Sequence, residues 1–192
     1  VLPMAAESNK ATSLIEIISN LPKNENNVPL RKAFNPMALP KLLPSYLLGE
    51  MIDFGSVIVR IAGEKLNEVY HTSLKGIDIF TILSSEEKTI VSNIHRCMFD
   101  HPCGVFTIRQ LKKETGLYIN LATYSFPMIS NDGKKKYFLM YYEDLSSKNE
   151  CESFQGKYAN FSHYSAVEFL DIGNGAPNAD SVIVELATLS LA

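Results

Sequence analysis

Two cysteines and a histidine stand close together in the middle of the chain, at Cys97, His101 and Cys103. Thiolate and imidazole groups are ligands for zinc and for haem iron, and spacings of four and two residues could gather them at a helix end. A tetrahedral site needs a fourth ligand, which Cys151 or His95 would have to supply from elsewhere. Alternatively, Cys97 packs in the core and His101 ends the helix. We favour this second interpretation and predict no metal site.

No other group of residues forms a recognisable catalytic motif. The sequence lacks a Gly-x-Ser-x-Gly elbow, a phosphate loop of the Gly-x-x-x-x-Gly-Lys-Ser type and a glycine cluster for a dinucleotide. Arg60 and Arg109 fall inside predicted strands, where a buried charge needs a partner. Each could meet a ligand carboxylate, although an intramolecular salt bridge or exposure at a sheet edge is the simpler explanation.

The composition indicates one globular domain with appendages. Of the 192 residues 46% are hydrophobic, which is ample for a core, and the net charge is −3. An acidic chain lacks the basic patch of a nucleic-acid-binding protein, and no apolar run approaches the ~20 residues of a membrane span. The first residues do not have the pattern of a secretory signal, and the three cysteines describe no disulfide framework. We therefore expect a cytoplasmic protein without nucleic-acid or membrane partners.

Three runs rich in aromatic and β-branched residues predict an antiparallel meander around which the chain is organised. They span residues 104–111, 117–129 and 136–142, and glycine and polar residues fill the gaps between them. Both faces of the second run are apolar, so each side of the sheet must be covered by something else.

Two further strands, at 46–52 and 56–62, precede the meander and are followed by short helical pieces at 64–70 and 76–83. A capping box of Ser84 and Glu87 then opens the longest helix, 84–99, which has a clear apolar stripe. This order predicts an α+β fold, in which a five-stranded antiparallel sheet has a helical lid inserted between strands 2 and 3.

The two ends of the chain add to this domain. Residues 13–21 predict an amphipathic helix that is too short to be stable alone, so we expect it to dock on the outer face of the sheet. The sheet could belong to the same chain or to a second copy, and we favour the dimer. Asn35 and Pro36 begin a short helix as cap and first residue. We divide the chain into a tail and helix at 1–33, a domain at 34–145 and a C-terminal extension at 146–192.

The order of elements is the one that PAS domains use, and three motifs narrow the resemblance. They are Phe-Asn-Pro-Met-Ala-Leu-Pro-Lys-Leu-Leu-Pro at 34–44, Val-Arg-Ile-Ala-Gly at 59–63 and Gly-Ile-Asp-Ile at 76–79. The chain resembles the PAS-like family found mainly in alphaproteobacteria as a nearly stand-alone domain, over about residues 34–145. Asn35 departs from the Asp that the family often has there. The resemblance implies a bacterial sensory or protein-interaction module in signal transduction, often a dimer, with no established catalysis.

The lid and the sheet of such a fold could enclose a mostly apolar pocket with few polar anchors. We expect side chains from both layers to line it: Val57, Val59, Ile61, Phe80, Ile94, Cys97, Met98, Arg109, Ile119 and Leu121. The same side chains could instead fill a solid core. A flavin photoreceptor of this fold would need a reactive cysteine before the long helix, and residues 64–83 contain none. The sequence identifies no cofactor.

Two functional hypotheses follow from these observations. The first is a PAS-type module, not an enzyme, that binds a small apolar ligand or a signalling partner. The second is an enzyme on a steroid-isomerase-like α+β cone, which needs a carboxylate and a tyrosine in an apolar cup. Glu50, Asp78 and Tyr124 are the candidates for that chemistry. The position of the helices in the middle of the sequence favours the first hypothesis.

Overall fold

A computed structural model describes residues 9–112, 118–145 and 164–177 of the chain. The helices are α1 (Asn9–Ser19), α2 (Glu64–Tyr70) and α3 (Ser85–Asp100), and 3-10 helices lie at Arg31–Ala33, Pro36–Ala38, Pro40–Ser45 and Ile79–Ile82. The strands are β1 (Tyr46–Asp53), β2 (Ser56–Ala62), β3 (Gly104–Lys112), β4 (Tyr118–Ile129), β5 (Lys136–Asp144) and β6 (Tyr164–Leu170). The predicted α+β fold, with a helical lid between the second and third strands, is confirmed.

The strands form one antiparallel sheet in the order β2-β1-β5-β4-β3-β6. The three strands of the predicted meander, β3, β4 and β5, lie side by side, and the hairpin of β1 and β2 pairs with β5. The predicted corner at 112–116 lies mostly outside the described residues, as does the polar stretch at 146–153.

The number of strands corrects the sequence prediction, because β6 comes from the C-terminal extension. It pairs with β3 from Gly104 opposite Leu170 to Arg109 opposite Tyr164. A tight turn follows β6, in which the Asp171 carboxylate accepts the backbone N–H groups of residues 173, 174 and 175. These bonds, led by the one from Gly173, hold the pKa of Asp171 below its usual value. Part of the extension therefore belongs to the sheet.

The outer face of the sheet is covered by α1 from the same chain. Leu14 and Ile18 of this helix are completely buried, in one cluster with Tyr124 and Phe126 of β4. Burial of this stripe stabilises a helix of eleven residues that would be marginal alone. The helix begins four residues before the predicted segment 13–21 and ends two residues before its end. Of the two predicted arrangements, the structure has the one within a single chain.

The inner face of the sheet is covered by the lid, which consists of α2, the 3-10 helix Ile79–Ile82 and α3. The predicted capping box is present, since Ser84 accepts the N–H of Glu87 and the Glu87 carboxylate accepts the N–H of Ser84. Ile90, Ile94 and Met98 of α3 are buried against the sheet. No helix among the described residues is long and apolar enough to cross a bilayer.

Candidate functional site

A cavity of about 80 Å³ lies between the lid and the inner face of the sheet. Its apolar wall comes mostly from the lid and from β1, β3 and β5: Leu47, Leu74, Ile79, Ile82, Leu83, Val91, Ile94, Met98, Val105 and Met140. Polar side chains complete the lining: Tyr70, His95, Thr107, Arg109, Thr123, Ser125 and Tyr142. The mixture of a broad apolar wall and a few polar groups is typical of small-molecule sites.

His95 brings an imidazole from α3 into the lining of this cavity. The residue is only 4% exposed, and its ring stacks on Phe138 with 4.0 Å between ring centroids, while Phe80 meets it edge-on at 5.9 Å. Nδ1 has no hydrogen-bond partner, and no described residue bonds to the other ring nitrogen. Burial without a compensating bond lowers the pKa of His95 to about 3, so the ring is neutral at pH 7.

Three hydroxyl groups form a polar strip on the sheet beneath the lid. Thr107 of β3 pairs with Thr123 of β4, and Ser125 lies two residues further along β4 on the same face. None of the three hydroxyls has a hydrogen-bond partner within the described part of the chain. All three line the cavity together with His95. The cavity therefore contains several groups that can form hydrogen bonds with a bound molecule.

Arg109 lines the cavity and connects three elements. Its guanidinium donates a hydrogen bond to the hydroxyl of Tyr70 at the end of α2. The Glu87 carboxylate at the start of α3 is 3.9 Å from the nearer guanidinium nitrogen, and both side chains are nearly buried, with exposed fractions of 12% and 11%. The charge of Arg109 is thus compensated inside the protein, which agrees with the intramolecular explanation from the sequence. Arg60 likewise pairs with Glu50, at 2.9 Å.

The predicted pocket residues fall into three groups. Ile94, Met98 and Arg109 line the cavity. Val57, Val59, Phe80 and Cys97 belong to the filled core around it, and Leu121 is buried without reaching it. The side chain of Ile119 lies outside the described part of the structure.

The expectation that Ile61 shares the inward face of Val57 and Val59 is wrong. Ile61 is 55% exposed. Leu48 lies opposite Ile61 whereas Gly49 lies opposite Val59, so β2 holds one extra residue at this point. Such a β-bulge breaks the alternation of faces along a strand, and a sequence pattern does not reveal it.

The candidates for isomerase-like catalysis do not come together. Glu50 is held by Arg60 and Lys135, and these bonds, led by the one from Lys135, lower its pKa. Asp78 accepts hydrogen bonds from Ser56 and from backbone N–H groups. Tyr124 lies on the outer face of the sheet. No shared cup joins these three side chains.

The cysteine and histidine group at the end of α3 does not form a ligand set in the described residues, where no three metal-ligating side chains converge. Cys97 is half-buried and Cys103 is buried, and neither forms a disulfide within the described residues. A hydrogen bond with Cys97 and burial raise the pKa of the Cys103 thiol. Both residues pack in the core beneath the lid.

The sequence does not identify the three hydroxyls as site residues, and it offers His95 only as a fourth ligand for the metal site that we do not predict. A signal for the hydroxyls was present, since Thr107, Thr123 and Ser125 alternate with large apolar residues in strands that are covered on both faces. A polar residue facing a covered side needs a partner or a cavity. As a signal for His95 in the cavity, the sequence offered only its place near the apolar stripe of the long helix.

Among solved structures, 44 chains are similar to this one. They include the Vibrio cholerae protein VqmA, described with LuxR-type receptors and their DNA binding, at 17% identity and a TM-score of 0.42 over 60% of this chain and 54% of that one. A structure of VqmA bound to DPO has the same score and identity, with 59% of that chain covered. The PAS domain of Bordetella pertussis BvgS matches at 10% identity and a TM-score of 0.39, over 57% of this chain and 82% of that one. This chain spans a little over half the length of the VqmA chains.

The sequence itself has one informative match. No curated protein is significantly similar to it. A family model described as "PAS domain" matches residues 8–142, which is more than two thirds of the chain and runs from just before α1 to near the end of β5. The match agrees with the order of the elements and with the motifs at 34–44 and 59–63. The chain belongs to the PAS domain family.

Proposed function

We propose that this PAS domain is a sensory module whose signal is a small molecule bound in the cavity between lid and sheet. The observation that carries the proposal is the cavity lining. Nδ1 of His95 is buried there without a hydrogen-bond partner, although buried polar groups in folded proteins are nearly always bonded, and the three hydroxyls beside it have no partner in the described part of the chain. A bound molecule would supply the missing bonds. Cys97 and Cys103 form no disulfide within the described residues, which is compatible with a protein that acts in the cytoplasm.

The lid is the element that a ligand would move. The cavity of about 80 Å³ is well below the ~300 Å³ at which sites for drug-sized ligands begin, so a larger ligand requires the lid to shift. Arg109 of β3 is connected to α2 through Tyr70 and to α3 through Glu87. A displaced lid would change both contacts. Ligand occupancy would thereby be transmitted to the outer surface of α2 and α3, where a partner could detect it.

The test is native mass spectrometry of the full chain purified from its own host. We expect the wild-type protein to carry a small molecule that is lost on denaturation. Ser125→Leu should abolish this additional mass, because the branched side chain enters the cavity. Ser92→Leu is the matched control, since Ser92 lies on α3 in a groove outside the cavity and should leave the bound molecule in place. An unliganded wild-type protein, or a Ser125→Leu variant that keeps the molecule, would refute the proposal.

We also propose that the domain forms a homodimer through the outward side of α1. The helix covers its own sheet, yet Ile15 and Ile17 remain only half-buried. Pairing of such a patch about a two-fold axis would bury it. Sedimentation at high micromolar concentration should show a dimer for the wild type and a monomer for Ile17→Lys, with the exposed Glu16→Lys as the control. A wild-type monomer at that concentration would refute this proposal.

A further inference from the structure

Two buried polar atoms in the described residues have no hydrogen-bond partner, the hydroxyl oxygen of Tyr46 and Nδ1 of His95. Tyr46 lies in the outer core, between Phe34 and Tyr141, and does not line the cavity beneath the lid. His95 lines the cavity beneath the lid. The two residues can therefore be compared. Each carries the free-energy cost of a buried polar atom without a hydrogen bond, but only His95 lies beside the cavity.

The imidazole of His95 is held in place and is uncharged. Phe138 stacks on one side of it and Phe80 meets its edge, so the ring has little freedom to turn toward solvent. A neutral imidazole has one N–H donor and one acceptor nitrogen. A ligand in the cavity can bond to it with a hydroxyl, an amide or a ring N–H, each of which is uncharged.

The hydroxyl strip offers a second set of bonds across the same space. Thr107, Thr123 and Ser125 belong to two adjacent strands and face the lid. A hydroxyl can donate one hydrogen bond and accept two, so this strip suits either a carbonyl or an N–H group on the ligand. A molecule with two polar groups can bond to His95 with one of them and to the strip with the other.

The charge inside the cavity argues against an ionic ligand. Arg109 is the charged residue in the lining, and it already has Glu87 at 3.9 Å and the Tyr70 hydroxyl as a hydrogen-bond partner. A carboxylate ligand would compete with Glu87, and a cation would be repelled by Arg109. Either would lose its hydration in a mostly apolar space.

We infer that the cavity takes a small uncharged molecule with at least two hydrogen-bonding groups, one bonded to the ring of His95 and another to the hydroxyls of Thr107, Thr123 and Ser125. This inference rests on the proposed function and specifies its ligand. It departs from the sequence prediction of an apolar ligand, because the cavity lining is more polar than the predicted set of residues.

The volume of the cavity limits the size of the probe molecules that can test this inference. An apolar cavity of ~150 Å³ accommodates benzene, so about 80 Å³ leaves room for about three or four non-hydrogen atoms when the lid is closed. Acetamide, acetate and isobutene each have four such atoms in the same planar trigonal shape. They differ in charge and polarity, because acetamide is uncharged and polar, acetate is anionic and isobutene is apolar.

The experiment is an NMR titration of the full chain with each probe, following the backbone amide signals of the cavity residues in every protein and, where His95 is present, its side-chain ¹⁵N signals. We expect acetamide to bind saturably in the millimolar range, as suits so small a ligand, and at least tenfold more tightly than acetate or isobutene. His95→Leu should weaken acetamide binding about tenfold, and Tyr46→Phe should leave it unchanged. If the His95 variant fails to fold, Thr123→Val removes one hydroxyl at nearly constant volume and should weaken binding severalfold.

The outcomes separate this inference from the proposed function. Equal or tighter binding of acetate or isobutene would overturn the chemistry inferred here and leave a ligand-binding cavity in place. Acetamide binding that neither His95→Leu nor Thr123→Val weakens would also overturn it. If no probe shifts the His95 signals while the native protein carries a molecule, the inference fails and the proposed function stands. If the native protein carries none either, ordered water fills the cavity and both fail.

Discussion

Mild acidification should destabilise the protein through His95. The unfolded chain binds a proton at this residue near pH 6.5, whereas burial lowers the pKa of the folded state to about 3. The folded state therefore binds fewer protons between these two values. The stability that comes with the neutral ring is fully present above pH 6.5 and is lost progressively as the pH falls toward 3.

The magnitude depends on how far the pH lies below the unfolded pKa. Each pH unit in this window costs about 1.4 kcal/mol, so lowering the pH from 7.5 to 5.0 should reduce the free energy of unfolding by about 2 kcal/mol. This loss of stability depends little on the pKa of His95 in the folded state, because the ring remains neutral in the folded state at pH 5.0 whenever that pKa is below ~4. The carboxylates with lowered pKa values, such as Glu50 and Asp171, affect stability only at lower pH.

Urea unfolding of the wild type and of His95→Leu at the two pH values measures the effect. Both proteins share every other titrating group, so the difference between their pH responses belongs to His95. We expect the wild type to lose about 2 kcal/mol more than the variant between pH 7.5 and 5.0. A difference below about 0.5 kcal/mol would show that His95 reaches solvent or gains a bond to its protonated form, and the argument for a neutral ring in the cavity would be wrong.

Three further predictions concern the lid, the cysteines and one glycine. Ile94→Ala should cost about 2–4 kcal/mol in urea unfolding, because Ile94 is buried and its loss enlarges the cavity; a cost below about 0.5 kcal/mol would place it in solvent. The melting temperature should not change in excess chelator, and a drop that zinc reverses would reveal a metal site at Cys97 and Cys103. Gly63→Ala should cost about 1–3 kcal/mol, since its Cβ would lie 2.2 Å from the carbonyl oxygen of Pro44. The control Gly55→Ala, with its nearest contact at 3.4 Å, should cost much less.

The fold could be predicted largely because its signals are local. The capping box of Ser84 and Glu87, the cap at Asn35 and the aromatic strands each depend on neighbouring residues, and each is found as predicted. The sixth strand was missed because its pairing with β3 joins segments that are far apart in the chain. The sequence of residues 164–170 does not indicate which edge of the sheet this strand joins.

The site was harder to predict than the fold, for a physical reason. Apolar residues such as Ile94 and Met98 follow the periodicity of their helix, so their inward direction can be expected from sequence. The cavity depends instead on which side chains fail to fill the space between two layers, and this is a property of packing in three dimensions. Thr107 and Thr123 become neighbours only through the register of β3 and β4.

The pairing of β6 with β3 also makes the seven-residue strand β6, rather than the longer β3, the edge strand of the sheet. Without β6, the nine-residue strand β3 would be an edge with unpaired N–H and C=O groups and with Val105, Phe106 and Ile108 among its side chains. Such a long apolar edge is a template for aggregation. At the opposite edge, part of the β2 backbone is already hydrogen-bonded. The N–H of Val59 donates to the carbonyl of Ile77, and the carbonyl of Val59 accepts the N–H of Gly76. A fragment that ends at residue 142, where the family match ends, would keep the cavity residues. It would also leave β3 as an unpaired edge strand that can pair with other copies.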